Sequence, residues 1–378
     1  MGKVFKKGSS FMKVLHVAHY AKSGIITVIK NQILCSTNPD IQYSVAVFDT
    51  IDEDLYKIGQ TRNVSIFFLK SGKLSVFRSF LDYFRLIKKI APDVVHTHSY
   101  FPRMLTGFLA LFGGMKNIRA VTTIHNDYPY FYNKDGKSLL KRFTERCYLQ
   151  WAQPHVICVS TYIKKIINHV YRDVHDVSVI NNGISFSLKE DHSTINRGEG
   201  CIVITVGRLS SQKNYDYLLD CWSEAVNKYP ESVLWFVGDG EERQSLEAKV
   251  RKLNIESSVL FMGWRNDIQS ILKKADIFVL SSNYEGFPMA ILEAQREGLP
   301  VVATNVSGVS DIVENGNSGF IVTKGDKAEM VTALSMLIGD QVLRLKMGKK
   351  GQLSVYSKFA IDGYIKNVES LYSEKVSY

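Results

Sequence analysis

The chain has 378 residues, of which 45% are hydrophobic and 22% charged, and it carries a formal net charge of +10. That length accommodates two domains of ~100 to 200 residues each and excludes neither an enzyme nor a binding module. It holds no apolar run near the roughly 18 residues of a membrane span, the longest candidate being Leu105 to Gly114, and Lys13, His16 and His19 interrupt the segment where a signal-peptide core would lie. The five cysteines, Cys35, Cys147, Cys158, Cys201 and Cys221, are scattered singly, which fits neither a disulfide framework nor a zinc site and predicts buried, reduced packing residues in a cytoplasmic protein.

In chain order, Lys13 to Ala18 is a short apolar run followed by a turn at Ser23, Gly24 and Ile25 and a helix from near Thr27, the strand, glycine turn and helix of a doubly wound sheet. Further strands are predicted over Ser44 to Phe48, Ser65 to Leu69, Val94 to Thr97, Ala120 to Ile124, His155 to Val159 and Val177 to Ile180, the last closed by Asn181, Asn182 and Gly183. Strands alternating with helical patterns argue for a parallel sheet covered on both faces. Residues 1–184 form the first predicted domain and the polar, patternless stretch 185–200 a linker. A second α/β unit, 201–355, restarts with Cys201 to Val206 and continues through Val233 to Val237, Val259 to Met262, Ile277 to Leu280, Pro300 to Thr304 and Gly319 to Val322. The remainder, 356–378, holds a last helical segment.

Within the second unit, Gly207 to Asn214 (GRLSSQKN) leaves a buried strand carrying Arg208 and Lys213, a guanidinium fork and an ammonium that could close over a diphosphate. Two such cations are ordinarily plain surface charge. Ser282 to Thr304 carries Glu285 and Glu293 eight positions apart around a loop-to-helix junction: Gly286 and Pro288 break the strand, and Met289 to Gln295 is helix-forming. The exposed N–H groups of the segment Phe287, Pro288, Met289 and Ala290, the proline itself lacking one, would face the carboxyl end of the sheet, where open α/β sheets bind ligands. Glu285 before the helix and Glu293 about two turns into it could accept hydrogen bonds from a sugar and a ribose, although two glutamates at that spacing are often only solvated helix charges. Val233 to Val237 ends in Gly238-Asp239-Gly240, but Arg243 stands where the third glycine of a dinucleotide fingerprint would be, which argues against an NAD site. In the first unit His98 and His125 follow strands and are expected to project from the carboxyl edge; His96 is expected to point to the opposite face of its strand and be buried.

The pattern Glu285 to Glu293 resembles the E-x7-E motif of the retaining GT-B glycosyltransferases of family 4, and Gly207 to Lys213 resembles that family's G-R-x-x-x-x-K pattern. The resemblance is strongest over Gly207 to Val322. It implies two Rossmann-like domains facing across a cleft, an α/β GT-B architecture whose last helix, here Phe359 to Ser373, crosses back onto the first domain. It implies further that Glu285 contacts the donor hexose, Glu293 the ribose, the amides of Phe287 to Ala290 the sugar and diphosphate, and that Arg208 and Lys213 stabilise the departing diphosphate with no cofactor or metal. His125 matches the family's T-x-H position at the donor sugar and Gly24 the glycine loop near the phosphates; His98 is placed on the acceptor side, and Gly207 and Gly238 complete the candidate substrate-binding set. Ser23-Gly24 stands where paired glycines are usual, and Asn181 and Ser185 where proline and aspartate flank the interdomain turn.

Residues 1–190 carry 26 Lys and Arg against 13 Asp and Glu, a balance of +13, whereas the rest carries 21 against 24, a balance of −3. The basic clusters lie in Arg78 to Lys89, Lys134 to Arg146 and Lys164 with Lys165, near aromatics such as Tyr100, Phe101 and Tyr128 to Tyr132. Such asymmetry points to a polyanionic surface. An anionic membrane face is favoured over nucleic acid, for which no motif is present. The expected protein is a cytoplasmic enzyme, peripheral on the inner face of the cell membrane, that transfers a hexose from a nucleoside-diphosphate sugar, UDP favoured over GDP, to a lipid-linked or oligosaccharide acceptor in surface-polysaccharide assembly. A GT-B-fold sugar-nucleotide epimerase and a catalytically silent lipid- or nucleic-acid-binding module are the alternatives.

Overall fold

A computed structural model of the chain describes residues 11–20, 24–48, 53–62, 64–69, 76–126, 131–172, 174, 176–186 and 200–373. Ser23, most of the Tyr128 to Tyr132 aromatic run and most of the predicted linker lie outside them. The chain divides into two compact units, Met1–Ser185 with Ile361–Tyr378, and Phe186–Ala360.

In the first unit the elements run β1 (Met12–Ala18), α1 (Gly24–Cys35), β2 (Ile41–Val47), α2 (Glu53–Arg62), β3 (Ser65–Phe68), α3 (Val76–Ile90), β4 (Val94–Thr97), α4 (Tyr100–Leu111), β5 (Arg119–Ile124), α5 (Gly136–Ala152), β6 (His155–Cys158), α6 (Thr161–Val170) and β7 (Val177–Val179). All strands are parallel, in the order β3-β2-β1-β4-β5-β6-β7. Short apolar runs produce this sheet because both of its faces are buried. Along β1, Val14 and Ala18 enter one core with Val94 of β4 and Val121 of β5. Leu15 and Val17 enter the other with Val95 and Ala120. Strand parity therefore puts His16, His96, His98, Thr123 and His125 on the same face as Val14. The first helix starts at Gly24, three residues earlier than the sequence pattern indicated, because the glycine itself can occupy the first turn.

The second unit contains β8 (Ile202–Val206), α7 (Tyr215–Lys228), β9 (Val233–Val237), α8 (Arg243–Lys252), β10 (Val259–Phe261), α9 (Ile268–Leu272), β11 (Ile277–Leu280), α10 (Met289–Arg296), β12 (Val301–Thr304), α11 (Val309–Ile312), β13 (Gly319–Val322), α12 (Lys327–Gly339) and α13 (Gln341–Lys358). Its parallel sheet has the order β10-β9-β8-β11-β12-β13. Trp222 of α7, fully buried, fills the core and donates its indole N–H to Ser258 Oγ at 3.1 Å. Phe359 caps α13 and packs its ring against Phe287 at 5.6 Å between centroids, so it belongs to this unit and not to the last helix.

That last helix, α14 (Ile361–Ser373), belongs to the first unit and covers the Val14 face with Ile361, Tyr364, Ile365, Val368, Leu371 and Tyr372. A buried carboxylate fixes it: Glu369 accepts from Ser36 Oγ at 2.6 Å, Tyr43 Oη at 2.7 Å and Asn38 Nδ2 at 3.0 Å. Gly183 lies against it so closely that a Cβ would stand 2.8 Å from Ile361 Cα. Bare backbone is what lets the end of the first unit's sheet meet α14.

Candidate active site

Strand order reverses between β8 and β11, and the crevice at such a switch point is where ligands bind in open parallel sheets. Two loops meet there: the one after β8 carries Arg208, Gln212 and Lys213, and the one after β11 carries Ser282, Asn283 and Glu285. Backbone and side-chain bonds knit them together, Asn283 N to Gln212 O at 2.7 Å, Asn283 Nδ2 to Ser211 O at 2.9 Å, Ser281 Oγ to Lys213 O at 2.8 Å and Gln212 Nε2 to Tyr284 O at 3.1 Å. A third loop joins through Ser307 Oγ, which donates to Glu285 O at 2.6 Å.

At the centre Lys213 Nζ donates to Glu285 Oε1 at 2.7 Å, the two side chains only 15% and 9% exposed. Ser282 Oγ donates to the same oxygen at 2.6 Å, while Oε2 keeps a 3.5 Å contact with Gln212 Nε2. Burial alone would lower the lysine pKa, but the adjacent carboxylate outweighs it with help from Tyr215, and the ammonium is held above its ordinary value. The constellation is a protected cation with a carboxylate that retains one lightly used acceptor.

Glycines open the floor of this site. Gly207, at φ 159°, and Gly238, at φ 138°, end the neighbouring strands β8 and β9. A Cβ on Gly238 would stand 2.0 Å from Gly207 O, and one on Gly207 would stand 2.9 Å from Lys213 Cε. Only hydrogen fits between the strand ends. Arg208 leaves this floor toward solvent, its side chain 74% exposed, and pairs through Nε with Glu241 Oε2 at 3.0 Å. The two cations expected to clamp one diphosphate are thus each held by a different carboxylate.

At the far side of the loop, Pro288 is the N-cap of α10 and no side chain caps the helix. Pro288 has no N–H, so the donors of the Phe287 to Ala290 segment are reduced to Phe287, Met289 and Ala290. Glu293 is the fifth residue of α10, little more than one turn from its start and not two. It is half-buried, and desolvation raises its pKa, offset in part by Arg296 and reinforced by Glu297.

In the first unit, His98 is fully buried and does not line an open edge. Its Nε2 meets His16 Nδ1 at 2.9 Å and its Nδ1 meets His125 Nε2 at 3.0 Å, a continuous row from the interior to the partly exposed ring of His125. His96 is buried as expected but shares the face of His98, with ring centroids 4.1 Å apart, since residues two apart on a strand point the same way. His96 Nδ1 meets Tyr372 Oη at 2.7 Å and its Nε2 meets Thr123 Oγ1 at 2.8 Å. Nitrogens of His16, His96 and His98 lie within 4.8 Å of one another, a spacing a metal could use. Both His96 nitrogens, both His98 nitrogens and His16 Nδ1 are already engaged, so the set is built to hold its own members. Burial pushes His16 down to about 3, and burial with the nearby Arg103 guanidinium does the same to His125. Gly24 opens α1 with clear space around the position of a Cβ.

His16, Gln212 and Ser282 were not singled out by the sequence reading. Parity along β1 and β4 could have found His16, whereas Gln212 and Ser282 become recognisable only when β8 and β11 are known to be neighbours.

Residues 189–354 match the family described as "Glycosyl transferases group 1", and residues 32–188 match "Glycosyltransferase Family 4". The chain is 32% identical, over 83% of its length and 82% of the relative's, to an Escherichia coli UDP-Gal:alpha-D-GlcNAc-diphosphoundecaprenol alpha-1,3-galactosyltransferase. The chain belongs to the group 1 glycosyltransferases. This glycosyltransferase is also 26% identical, over 74% of each chain, to N-acetyl-alpha-D-glucosaminyl L-malate synthase of Bacillus anthracis. Its fold is the two-domain α/β GT-B fold: Anabaena Alr3699/HepE, solved with UDP and glucose, superposes with a TM-score of 0.80 at 20% identity, over 96% of this chain and 100% of that one. For a glycosyltransferase of this fold, the Lys213–Glu285 pair and the glycine floor lie in the unit matched by the group 1 family.

Proposed function

We propose that this enzyme transfers a hexose from a UDP-sugar to a lipid-diphosphate-linked or oligosaccharide acceptor, with retention at the anomeric carbon, during assembly of a cell-surface polysaccharide. The observation that carries the reading is the buried Lys213–Glu285 pair at the switch point, floored by Gly207 and Gly238. Glu285 Oε1 is committed to Lys213 and Ser282, which leaves Oε2 to accept a hydroxyl of the hexose. Glu293 accepts from the ribose, and the N–H groups of Phe287, Met289 and Ala290 meet the diphosphate. Lys213 and Arg208 neutralise charge on the leaving diphosphate as the C–O bond breaks, Arg208 exchanging Glu241 for the phosphate. Its exposed, surface pairing with Glu241 is weak enough to be exchanged. His125 contacts the hexose as it gains oxocarbenium character, and the departing phosphate oxygen takes the acceptor's proton on the same face. Gly24 leaves room for the phosphates, and His98 acts from beneath His125 and not at the acceptor.

A UDP donor is favoured because the Escherichia coli relative is named for UDP-Gal and HepE was solved with UDP. The diphosphoundecaprenol in that relative's name supports a lipid-linked acceptor. No helix among the described residues is long and apolar enough to cross a membrane. Peripheral contact with the cytoplasmic face of the membrane is part of the proposal, and α5 carries the means for it: Leu139, Leu140 and Phe143 are 51%, 62% and 64% exposed beside Lys137 and Lys141.

Thermal-shift titration with UDP-galactose, UDP-glucose, UDP-N-acetylglucosamine and GDP-mannose, without added metal, tests the donor site. A selective shift lost in Arg208→Ala is expected. No shift from folded protein, or conversion of the donor to an epimer without acceptor, would overturn the reading. Flotation with vesicles containing phosphatidylglycerol, compared with a Leu140→Ser, Phe143→Ser variant, tests the membrane contact.

A further inference from the structure

We propose that His16 and His98 are positioning residues that hold His125 with its proton on Nδ1, so that His125 meets the donor sugar as a hydrogen-bond donor and not as a base. The inference deepens the assignment of His125 to the donor hexose and rests on it for its functional consequence, but not for the proton placement.

A neutral imidazole has one N–H and one lone pair. His98 spends both nitrogens within the row, at 2.9 Å to His16 and 3.0 Å to His125. The three rings must therefore all point their protons outward or all inward. In the outward set His16 Nδ1–H donates to His98 Nε2, His98 Nδ1–H donates to His125 Nε2, and His125 Nδ1–H faces the surface. In the inward set every proton is reversed, and His16 Nε2 carries an N–H.

The buried end decides between them. His16 is fully buried, stacked on Tyr43 at 5.6 Å and beside His96 at 5.1 Å, and its Nε2 has no hydrogen-bond partner among the described residues. An orphaned N–H is rarer in protein interiors than an under-used acceptor. At the outer end His125 is only partly buried, so neither state strands a polar group there as fully as at His16. The outward set leaves only a bare lone pair inside.

The neighbouring groups do not compete for the row. Gln32 Nε2 donates to Tyr372 Oη at 3.2 Å, so the Tyr372 proton goes to His96 Nδ1, and His96 Nε2–H goes to Thr123. His96 is thereby closed off. The Tyr43 hydroxyl is spent on Glu369. Arg103 of α4, which acts on His98 and His125, adds positive charge that opposes any further proton. The row is a neutral, one-directional support.

The test is long-range proton–nitrogen correlation NMR on the full chain with 15N-labelled histidine, at pH 7 and without ligand. Assignment by His16→Phe, His98→Leu and His125→Gln identifies each ring. Nδ1–H on His125 and a bare Nε2 on His16 are expected; Nε2–H on His125 in the wild-type protein would overturn the proposal without any variant having to fold. In His98→Leu, His125 should become a mixture of tautomers, with kcat falling up to about tenfold, as for one misdirected hydrogen bond, and the donor KM little changed. His98→Asn, whose amide can donate in place of Nδ1–H, should restore both; an unchanged tautomer and kcat in His98→Leu would refute the positioning role. Addition of UDP-galactose or UDP-glucose separates the two levels. A perturbed His125 Nδ1–H supports both, whereas the predicted tautomer with no perturbation upholds the row and overturns the placement of His125 at the donor.

Discussion

Acid should dismantle the first unit before the second, and the histidine row sets the amount. His16 is fully buried and held near 3, against an ordinary value of 6.5 in the unfolded chain. A ring whose folded pKa is lowered binds its proton more readily when unfolded. Its contribution is therefore complete above about pH 6.5 and is lost as the pH falls from there toward 3. Each pH unit in that window costs about 1.4 kcal/mol per ring, so His16 alone removes about 2 kcal/mol between pH 6.5 and pH 5. His96, His98 and His125 shift in the same direction for the same main reason, burial, and add to the loss in the first unit. Urea titrations at pH 7.5, 6.5, 5.5 and 5, read by hydrogen exchange and mass spectrometry, follow the two units separately. Peptides from β1, β4 and β5 should lose protection with falling pH well before those from β8 and β11, and His16→Phe should flatten the dependence by about one ring's share. Equal loss in both units, or a first unit whose stability is level from pH 7.5 to 5, would refute the reasoning.

Three substitutions in the second unit separate stability from catalysis. Lys213→Met should lower turnover, measured by UDP release, by about 10²- to 10³-fold, and should also cost about 3 to 5 kcal/mol in urea titrations because it strands the buried Glu285 carboxylate. Arg208→Ala should abolish most donor binding by calorimetry while moving the melting temperature little, since its pairing with Glu241 is exposed and screened by solvent. Gly238→Ala should destabilise by more than about 2 kcal/mol, read as a fall in the melting temperature, because its Cβ would meet Gly207 O at 2.0 Å from an unfavourable φ.

The strands were legible because a parallel sheet buried on both faces demands short, continuous apolar runs, and the inner strands β1, β8, β11 and β12 carry that demand in their own residues. Site geometry was less so. Glu285 and Lys213 stand 72 positions apart, and their ion pair exists only because β11 lies next to β8, which no local pattern encodes. His96 was assigned to the wrong face although the period of two along a strand would have placed it with His98. The buried Arg103–Glu145 pair at 2.7 Å between α4 and α5, and Glu369 of α14, carry no local signal in the sequence. Their burial follows from tertiary packing, of α4 on α5 and of α14 on the first unit's sheet.

The first unit is interrupted: α14 is encoded after the whole of Phe186–Ala360, yet it supplies Tyr364, Val368 and Tyr372 to the core over β1 and β4. During synthesis at about 5 to 20 residues per second, the first sheet therefore waits roughly ten seconds or more for its cover. Through that interval the face bearing His16, His96 and His98 is open to water, where the rings can take up protons that the finished core excludes. Closure of α14 is thus also a deprotonation step, and the chain should complete its folding more readily from neutral than from acidic surroundings.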